Sequence, residues 1–500
     1  MTRREYVPAH ILERLSIKLE FHRYYELFRR QPYSFLLDSA SDPQKLGRYS
    51  ILGANPFMVY KAKRIRGDGP GPHGARVEIL ERFGEEKPTA VHYDVADPFD
   101  DVRNLIAAHH VERRDYSGRP VPFLAGAIGY LGYEAGYFVE DLPDTGADDL
   151  GLPDIYLMFV NSALVHCHRT GATYLSVLGR GPNDRLAHAR AAHTRDRVLA
   201  ALERFEKSHP PAWDQSRPSA RGNVPVTAQF DEAGYSKLIE QAKEHIFAGD
   251  IFEICLTHRM QARTAADPWN LYQELRRINP APFSCFLDLP EATVVSSSPE
   301  RFVRLGADRI AESRPIKGTR PRGDTEEADQ AAIADLTSSE KDQAENNMIV
   351  DLVRNDFGRV CRFGTVNVPE LRIIERYATV YQMVSTIRGQ LNEDRDAIDL
   401  LRACFPGGSM TGAPKVEAMK LIDKLEPVKR NIYSGAIGYM DFSGPIDFNI
   451  VIRTIMLQKG LASFSVGGAI VADSIPKAEY QETLDKAAAL IRALGNVAAE

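Results

Sequence analysis

Five hundred residues, 44% hydrophobic and 26% charged, exclude a peptide hormone, a small disulfide scaffold and a globally disordered chain, and leave room for two or more units around a sizeable core. The 62 Lys and Arg against 68 Asp and Glu give a net charge of −6, so there is no basic footprint for nucleic acid and small-molecule partners are expected. Five scattered cysteines, Cys167, Cys255, Cys285, Cys361 and Cys404, form no C-x-x-C, so neither a disulfide framework nor a zinc site is expected, and they read as thiols of a cytoplasmic protein.

The N-terminus is charged with no apolar run behind it, and no stretch approaches the ~18 apolar residues of a membrane span, so no membrane association is expected. Gly67 to Gly74 holds four Gly and two Pro and is expected to join two strands. Lys207 to Val226, with Pro210, Pro211, Pro218 and Pro225, reads as a linker or long surface loop. It divides an N-terminal subdomain, 1–206, from a C-terminal domain, 227–500, across the loop 207–226. Two echoes link the halves. Pro32-Tyr-Ser-Phe-Leu-Leu-Asp38 resembles Pro282-Phe-Ser-Cys-Phe-Leu-Asp288, and Gly126-Ala-Ile-Gly-Tyr130 recurs as Gly435-Ala-Ile-Gly-Tyr439, which fits a diverged duplication and no short-period solenoid.

Helices are expected over Tyr235 to Phe247, Ser338 to Arg354 and Lys477 to Leu494 from their apolar period. Strands are expected at Val294-Val295, Phe302 to Leu305, Ile446 to Leu457 and Ala462 to Val471, which are rich in β-branched residues. The fold class is therefore α+β, two packed subdomains with large antiparallel sheets and surrounding helices.

Four features carry chemistry. Asp342 and Glu345 on one helix, and Glu479 and Glu482 with Lys486 on another, share a face by their spacing of three or four. Converging carboxylates need a cation, and all-oxygen ligation suits Mg²⁺ better than zinc; the plainer reading is acids offsetting a helix macrodipole. Lys317, between Pro315 and Gly318, fits a nucleophile if burial lowers its pKa, or else a solvated surface charge. Phe405 to Lys415, with Pro414 as a first helical residue, is either an anion-binding turn or a plain loop, and it lacks the Walker ending. Ser465-Val-Gly-Gly-Ala469, with Arg453 on the preceding strand, offers close backbone approach and bidentate carboxylate capture, although a tight strand bend looks the same.

From Phe230 to Leu494 the chain resembles the chorismate-utilising enzymes, the family of anthranilate synthase component I, aminodeoxychorismate synthase component I, isochorismate synthase and salicylate synthase. Ser298-Pro-Glu300-Arg-Phe, Pro315-Ile-Lys-Gly-Thr319, Asp342-Gln-Ala-Glu-Asn346, Asp351 to Asp356, Gly412-Ala-Pro-Lys415 and Gln481-Glu-Thr483 stand in family order. Ser34 to Ser39, Gly47 to Ser50 and Gly126 to Tyr133 match less tightly. The resemblance implies chorismate and Mg²⁺ in a cleft of the C-terminal part. It makes Glu345 and Glu482 metal ligands supported by Asp342 and Glu479, and Glu300 the acid at the departing ring hydroxyl. Gly318, Thr319, Tyr433, Arg453, Gly467, Gly468, Ala469 and Lys486 become substrate contacts.

Lys317 is characteristic of the aminodeoxychorismate branch, where a lysine amine attacks C2 and ammonia then enters at C4; anthranilate synthases, the alternative, carry alanine there. The run Phe252-Glu-Ile-Cys-Leu256 has no lysine where isochorismate and salicylate synthases keep their base. Gln382 replaces a histidine of anthranilate synthases, and Ala469 a glycine of the family run. A catalytically silent chorismate or tryptophan sensor would have lost Glu345 and Glu482. The cysteines show no glutaminase turn, so ammonia is expected from a separate glutamine amidotransferase subunit or from free ammonium. Leu37, Asp38 and Ser39 match the tryptophan site of relatives, with Asp38 in place of the usual glutamate.

Overall fold

The computed structural model describes residues 6–65, 74–81, 89–112, 121–208, 222–377 and 380–498. The middle of the expected linker and most of the Gly67 to Gly74 loop lie outside these residues; the strands flanking that loop, Met58–Arg64 and Ala75–Glu81, pair antiparallel as expected. The described residues form two twelve-stranded sheets, each antiparallel throughout its named ladders.

The first sheet runs Val7–Leu15, Ala172–Gly181, Ser162–Cys167, Tyr49–Gly53, Ser34–Asp38, then Phe283–Asp288, Thr293–Ser298, Thr454–Gln458, Leu461–Ile470 and Glu253–Arg263. The second runs from Asn367–Arg376 at one edge through Val380–Gln390, whose other side pairs with both Ile316–Pro321 and Ile310–Arg314, then Arg301–Leu305, Ile446–Asn449 and Ala436–Asp441 to Gly126–Leu131, Ile155–Val160, Met58–Arg64, Ala75–Glu81 and Thr89–Val95. Phe35, Ile51, Val59, Tyr156, Met158 and Val294 fill the space between the sheets. Trp269, Tyr272, Leu490 and Leu494 cover the outer face of the first sheet, and Ile349, Val353, Phe357 and Leu401 that of the second. The result is a helix–sheet–sheet–helix sandwich, in which each fully buried Leu or Phe contributes about 1.5–3 kcal/mol relative to exposure.

The two sequence echoes turn out to be each other's neighbours. Ser34–Asp38 pairs with Phe283–Asp288 so that Leu36 faces Phe286, its own counterpart in the repeat. Gly126–Leu131 pairs with Ala436–Asp441 so that Gly129 faces Gly438, again its counterpart. A pseudo-two-fold axis therefore passes through both pairs, and strand order is mirrored on either side of it. A Cβ at Gly129 would lie 1.9 Å from the Tyr156 carbonyl oxygen, and one at Gly438 2.0 Å from that of Asp447, so the axis requires glycine in both copies. Gly438→Ala is expected to destabilise the fold by about 1–3 kcal/mol; a thermal midpoint equal to that of the parent protein would contradict this packing.

The expected strand Ile446 to Leu457 is corrected. It splits into Ile446–Asn449 in the second sheet and Thr454–Gln458 in the first, and the crossing carries Arg453 at φ 53°. The expected helix Ser338 to Arg354 begins instead at Glu340 and runs to Gly358, because Ser339 accepts the Asp342 amide hydrogen and caps it. Pro476–Ala498 and Glu232–Ala248 extend the other two expected helices by a few residues. Among the described residues no helix is long and apolar enough to cross a membrane, and all five cysteines are buried thiols.

Two buried histidines tie the fold to pH. Burial, reinforced by Arg276, lowers the His22 pKa from 6.5 to about 4, and burial alone does the same at His258. Because the folded-state values lie below the unfolded one, the associated stability is present above pH 6.5 and is lost as pH falls through about 4. The expected loss is on the order of 3 kcal/mol for each site. Thermal midpoints from pH 7 to pH 4 check it; His109 and His166 are also lowered to about 4 and remain in His22→Gln/His258→Gln, so a shallower fall in that variant than in the parent is the expected contrast, and equal slopes would contradict it.

Candidate active site

Pro315 separates two strands of the second sheet, Ile310–Arg314 and Ile316–Pro321, which places Lys317 at the boundary. Gly318 follows at φ 83°, a left-handed conformation; a Cβ there would come within 2.9 Å of the Asp342 carboxyl carbon. The glycine therefore lets the helix Glu340–Gly358 close over Lys317. Lys317 Nζ donates to Glu253 Oε1 at 3.0 Å and stands 3.7 Å from Glu345 Oε2. Glu253 is 0% exposed, at the start of the strand Glu253–Arg263, and its Oε2 is buried with no protein partner.

The expectation of a lysine made neutral by burial is corrected. Burial does act to lower the Lys317 pKa, but Glu253 and then Glu345 outweigh it and hold it raised. Lys317 is thus an ammonium whose nearest base is Glu253. Glu253 itself escaped the sequence reading, although it shares a strand face with Cys255 and Thr257 by the period of two.

Glu345 and Glu479, from different helices, meet at one cation: Lys341 Nζ is 3.9 Å from Glu345 Oε1 and 3.4 Å from Glu479 Oε1. Glu479 is buried, accepts from Ser474 Oγ at 2.7 Å, and keeps its Oε2 without a partner. The other two acids turn aside, Asp342 to Arg320 at 3.0 Å and Glu482 to Lys486 at 2.6 Å. Among the described residues no group of three or more His, Cys, Asp or Glu side chains forms a ready-made metal cage. Burial pushes the Glu345 carboxyl up to about 7, with Lys317 opposing and Glu253 adding to the shift. At Glu482 partial burial works upward, but Lys486 outweighs it and the pKa is lowered.

The small-residue run lies on Leu461–Ile470, where Gly467, Gly468 and Ala469 pair with Thr257, Leu256 and Cys255. Lys486 Nζ donates to the Gly467 carbonyl at 2.8 Å, and the buried Oε2 of Glu479 lies 3.1 Å from where a Gly468 Cβ would stand. Arg453 donates to the Lys486 carbonyl, and its pKa is lowered by burial. Among the described residues it has no ion-pair partner, and Glu482 acts on it only at a distance. Tyr433 is buried within the electrostatic reach of Cys255, Arg430 and Arg453, whereas Thr319 is exposed, paired through its strand with Gln382.

Glu300 is buried and pushed up to about 7 by that burial, against a hydrogen bond with Ser409 and the charge of Lys317. The glycine-rich turn thus serves the protein itself: Ser409 reaches Glu300, the Thr411 carbonyl accepts from the Cys255 amide, and Lys415 pairs with Asp356 at 2.7 Å.

Leu37, Asp38 and Ser39 line a separate cavity of about 470 Å³ between the sheets, together with Arg301, Arg314 and Tyr439. The Asp38 carboxylate is engaged from the helix Pro268–Ile278 on the outer face of the first sheet, by Arg276 at 2.6 Å and by the Tyr272 hydroxyl at 2.9 Å. Ser39 Oγ donates to the Tyr49 carbonyl at 2.7 Å.

This sandwich, with a lysine-and-acid cluster on its C-terminal part, defines a class that other proteins share. The family model for chorismate binding enzymes matches residues 64–492. The chain belongs to the chorismate binding enzymes and is a chorismate-utilising enzyme. It is 36% identical over 487 residues to anthranilate synthase component 1 of Acetivibrio thermocellus, covering 94% of this chain and 92% of that one. It is 39% identical over 473 residues to aminodeoxychorismate synthase of Streptomyces griseus, covering 94% of this chain but 62% of that longer protein. The crystal structure of anthranilate synthase component I from Streptococcus pneumoniae TIGR4 superposes with a TM-score of 0.72 at 29% identity, over 89% of this chain and 92% of that one.

Proposed function

We propose that this chain aminates chorismate, converting it with ammonia to 4-amino-4-deoxychorismate through a covalent bond to Lys317. The observation that carries this reading is the buried pair in which Glu253, a carboxylate with one oxygen to spare, faces the Lys317 ammonium at 3.0 Å. Glu253 takes a proton from Lys317, and the freed amine forms a bond to C2 of the ring. The ring double bond shifts and the C4 hydroxyl leaves as water, with Glu300 giving the proton; a carboxyl near pKa 7 suits that task. Ammonia then bonds to C4 and expels the lysine amine from C2.

Arg453 and Lys486 offer positive charge to the substrate carboxylates, while Gly467, Gly468 and Ala469 leave the backbone open to the ring. Gly318, Thr319 and Tyr433 complete the proposed contacts. The donor set also fits magnesium, because the buried Oε2 of Glu479 has no protein partner and the acids supply oxygen only. Glu345 and Glu482 would hold the ion, backed by Asp342 and Glu479, and it would supply charge neutralisation for a substrate carboxylate.

Ammonia comes, in this reading, from a separate glutamine amidotransferase subunit. The similar anthranilate relative is named as a component, which supports that division. Five buried thiols suit a reducing cytoplasm, and the product would feed 4-aminobenzoate and folate synthesis.

The test is an incubation with chorismate, Mg²⁺ and ammonium, followed by mass spectrometry with and without aminodeoxychorismate lyase. A product that keeps its enolpyruvyl group and yields 4-aminobenzoate only with lyase is expected. Anthranilate formed without lyase would overturn the assignment in favour of anthranilate synthesis, which the 36% identity to an anthranilate synthase keeps as the alternative.

A further inference from the structure

Around Lys317 four glutamates are matched by three lysines. Glu253 and Glu345 face Lys317, Glu345 and Glu479 face Lys341, and Glu482 faces Lys486. Lys317 and Lys486 have places in the proposed reaction. Lys341 has none, yet its ammonium is the one that joins acids from two different helices, Glu340–Gly358 and Pro476–Ala498.

The contact is open-ended. Lys341 is 46% exposed on its side chain and sits at the second position of its helix, so its flexible stem can swing into solvent without unpacking anything. Glu479 keeps a second, buried oxygen that the lysine leaves unpaired. A divalent ion between these carboxylates would carry twice the charge and accept several oxygens at once. Two cations so close together repel, so lysine and metal exclude one another.

We propose that Lys341 is a counter-cation built into the acid cluster: it holds Glu345 and Glu479 until magnesium displaces it, and so sets how strongly the protein takes up the metal. The inference rests on the proposed reading of Glu345 as a metal ligand and of Glu479 as an acid that backs the ion. Lys341 is accordingly a positioning residue, and its effect falls on metal affinity before any substrate is present.

The experiment is calorimetric titration of Mg²⁺ alone into the full-length protein and its Lys341→Met, Lys341→Arg and Lys477→Met variants. Lys477 is an exposed charge two residues from Glu479 that forms no ion pair among the described residues, so it reports general electrostatics. Lys341→Met is expected to bind Mg²⁺ roughly tenfold more tightly, about 1.4 kcal/mol. Lys341→Arg should stay near the parent, and Lys477→Met should shift by less than about twofold because exposed charges are screened. Lys341→Gln is read the same way should the methionine variant fail to fold. Measurable binding that is equal in parent and Lys341→Met, or equally strengthened in Lys477→Met, overturns this inference alone. No binding by any of the proteins at millimolar metal overturns the metal reading with it.

Discussion

Replacing Lys317 by alanine is expected to lower formation of 4-amino-4-deoxychorismate by at least about a thousandfold while chorismate still binds. The variant removes the proposed nucleophile but also strands Glu253, a fully buried carboxylate whose cation is gone. Breaking such a pair costs about 3–5 kcal/mol, so a lower melting temperature should accompany the lost turnover. The double variant Lys317→Ala/Glu253→Gln separates the two effects. It removes the uncompensated charge and should recover much of the stability, yet remain inactive. Unchanged turnover in Lys317→Ala, measured by product mass spectrometry, would remove the covalent role; recovery of turnover in the double variant would make Lys317 a structural cation.

Replacing Glu482 by alanine should raise the Mg²⁺ concentration needed for half-maximal turnover by at least about tenfold. Glu482 is half exposed and Lys486 already satisfies it, so its removal leaves no buried charge behind and the fold should hold. Glu345→Gln is expected to act in the same direction, and additionally to relieve the mutual repulsion with Glu253 that helps keep the Glu345 carboxyl near 7. A Glu482→Ala protein with parental metal dependence would contradict its assignment as a ligand.

Much of this site was legible because its parts obey local rules. Spacing of three and four put Asp342 with Glu345 and Glu479 with Glu482 on helix faces, and both helices exist. Other parts depend on neighbours distant in the chain. Ile446 to Leu457 reads as one strand because β-branched residues continue through the crossing; only the positive φ at Arg453 and the membership of the two ends in different sheets reveal the break. Glu253 was noted only as part of the run Phe252 to Leu256 and given no role, since the lysine it faces lies 64 residues away. Lys341 drew no reading from the sequence, since the second acid it meets belongs to a helix 138 residues on. The echoes at Ser34 and Gly126 were visible as likeness, but that each strand pairs with its own copy is a property of the folded chain.

The pairing of each echo strand with its copy also limits how the molecule can breathe. Both ladders run unbroken from one half into the other, so the halves cannot part like the jaws of a clamp without unzipping two sheets at their centres. A ligand's way in and out must instead be opened at the margin. Lys317 lies on Ile316–Pro321, which is laddered on one side only, to Val380–Gln390, and the helix Glu326–Ser338 follows it. The catalytic lysine proposed here therefore rides on a strand with one free ladder side, away from the seam between the halves, so that movement of the helices packed on it leaves the seam closed.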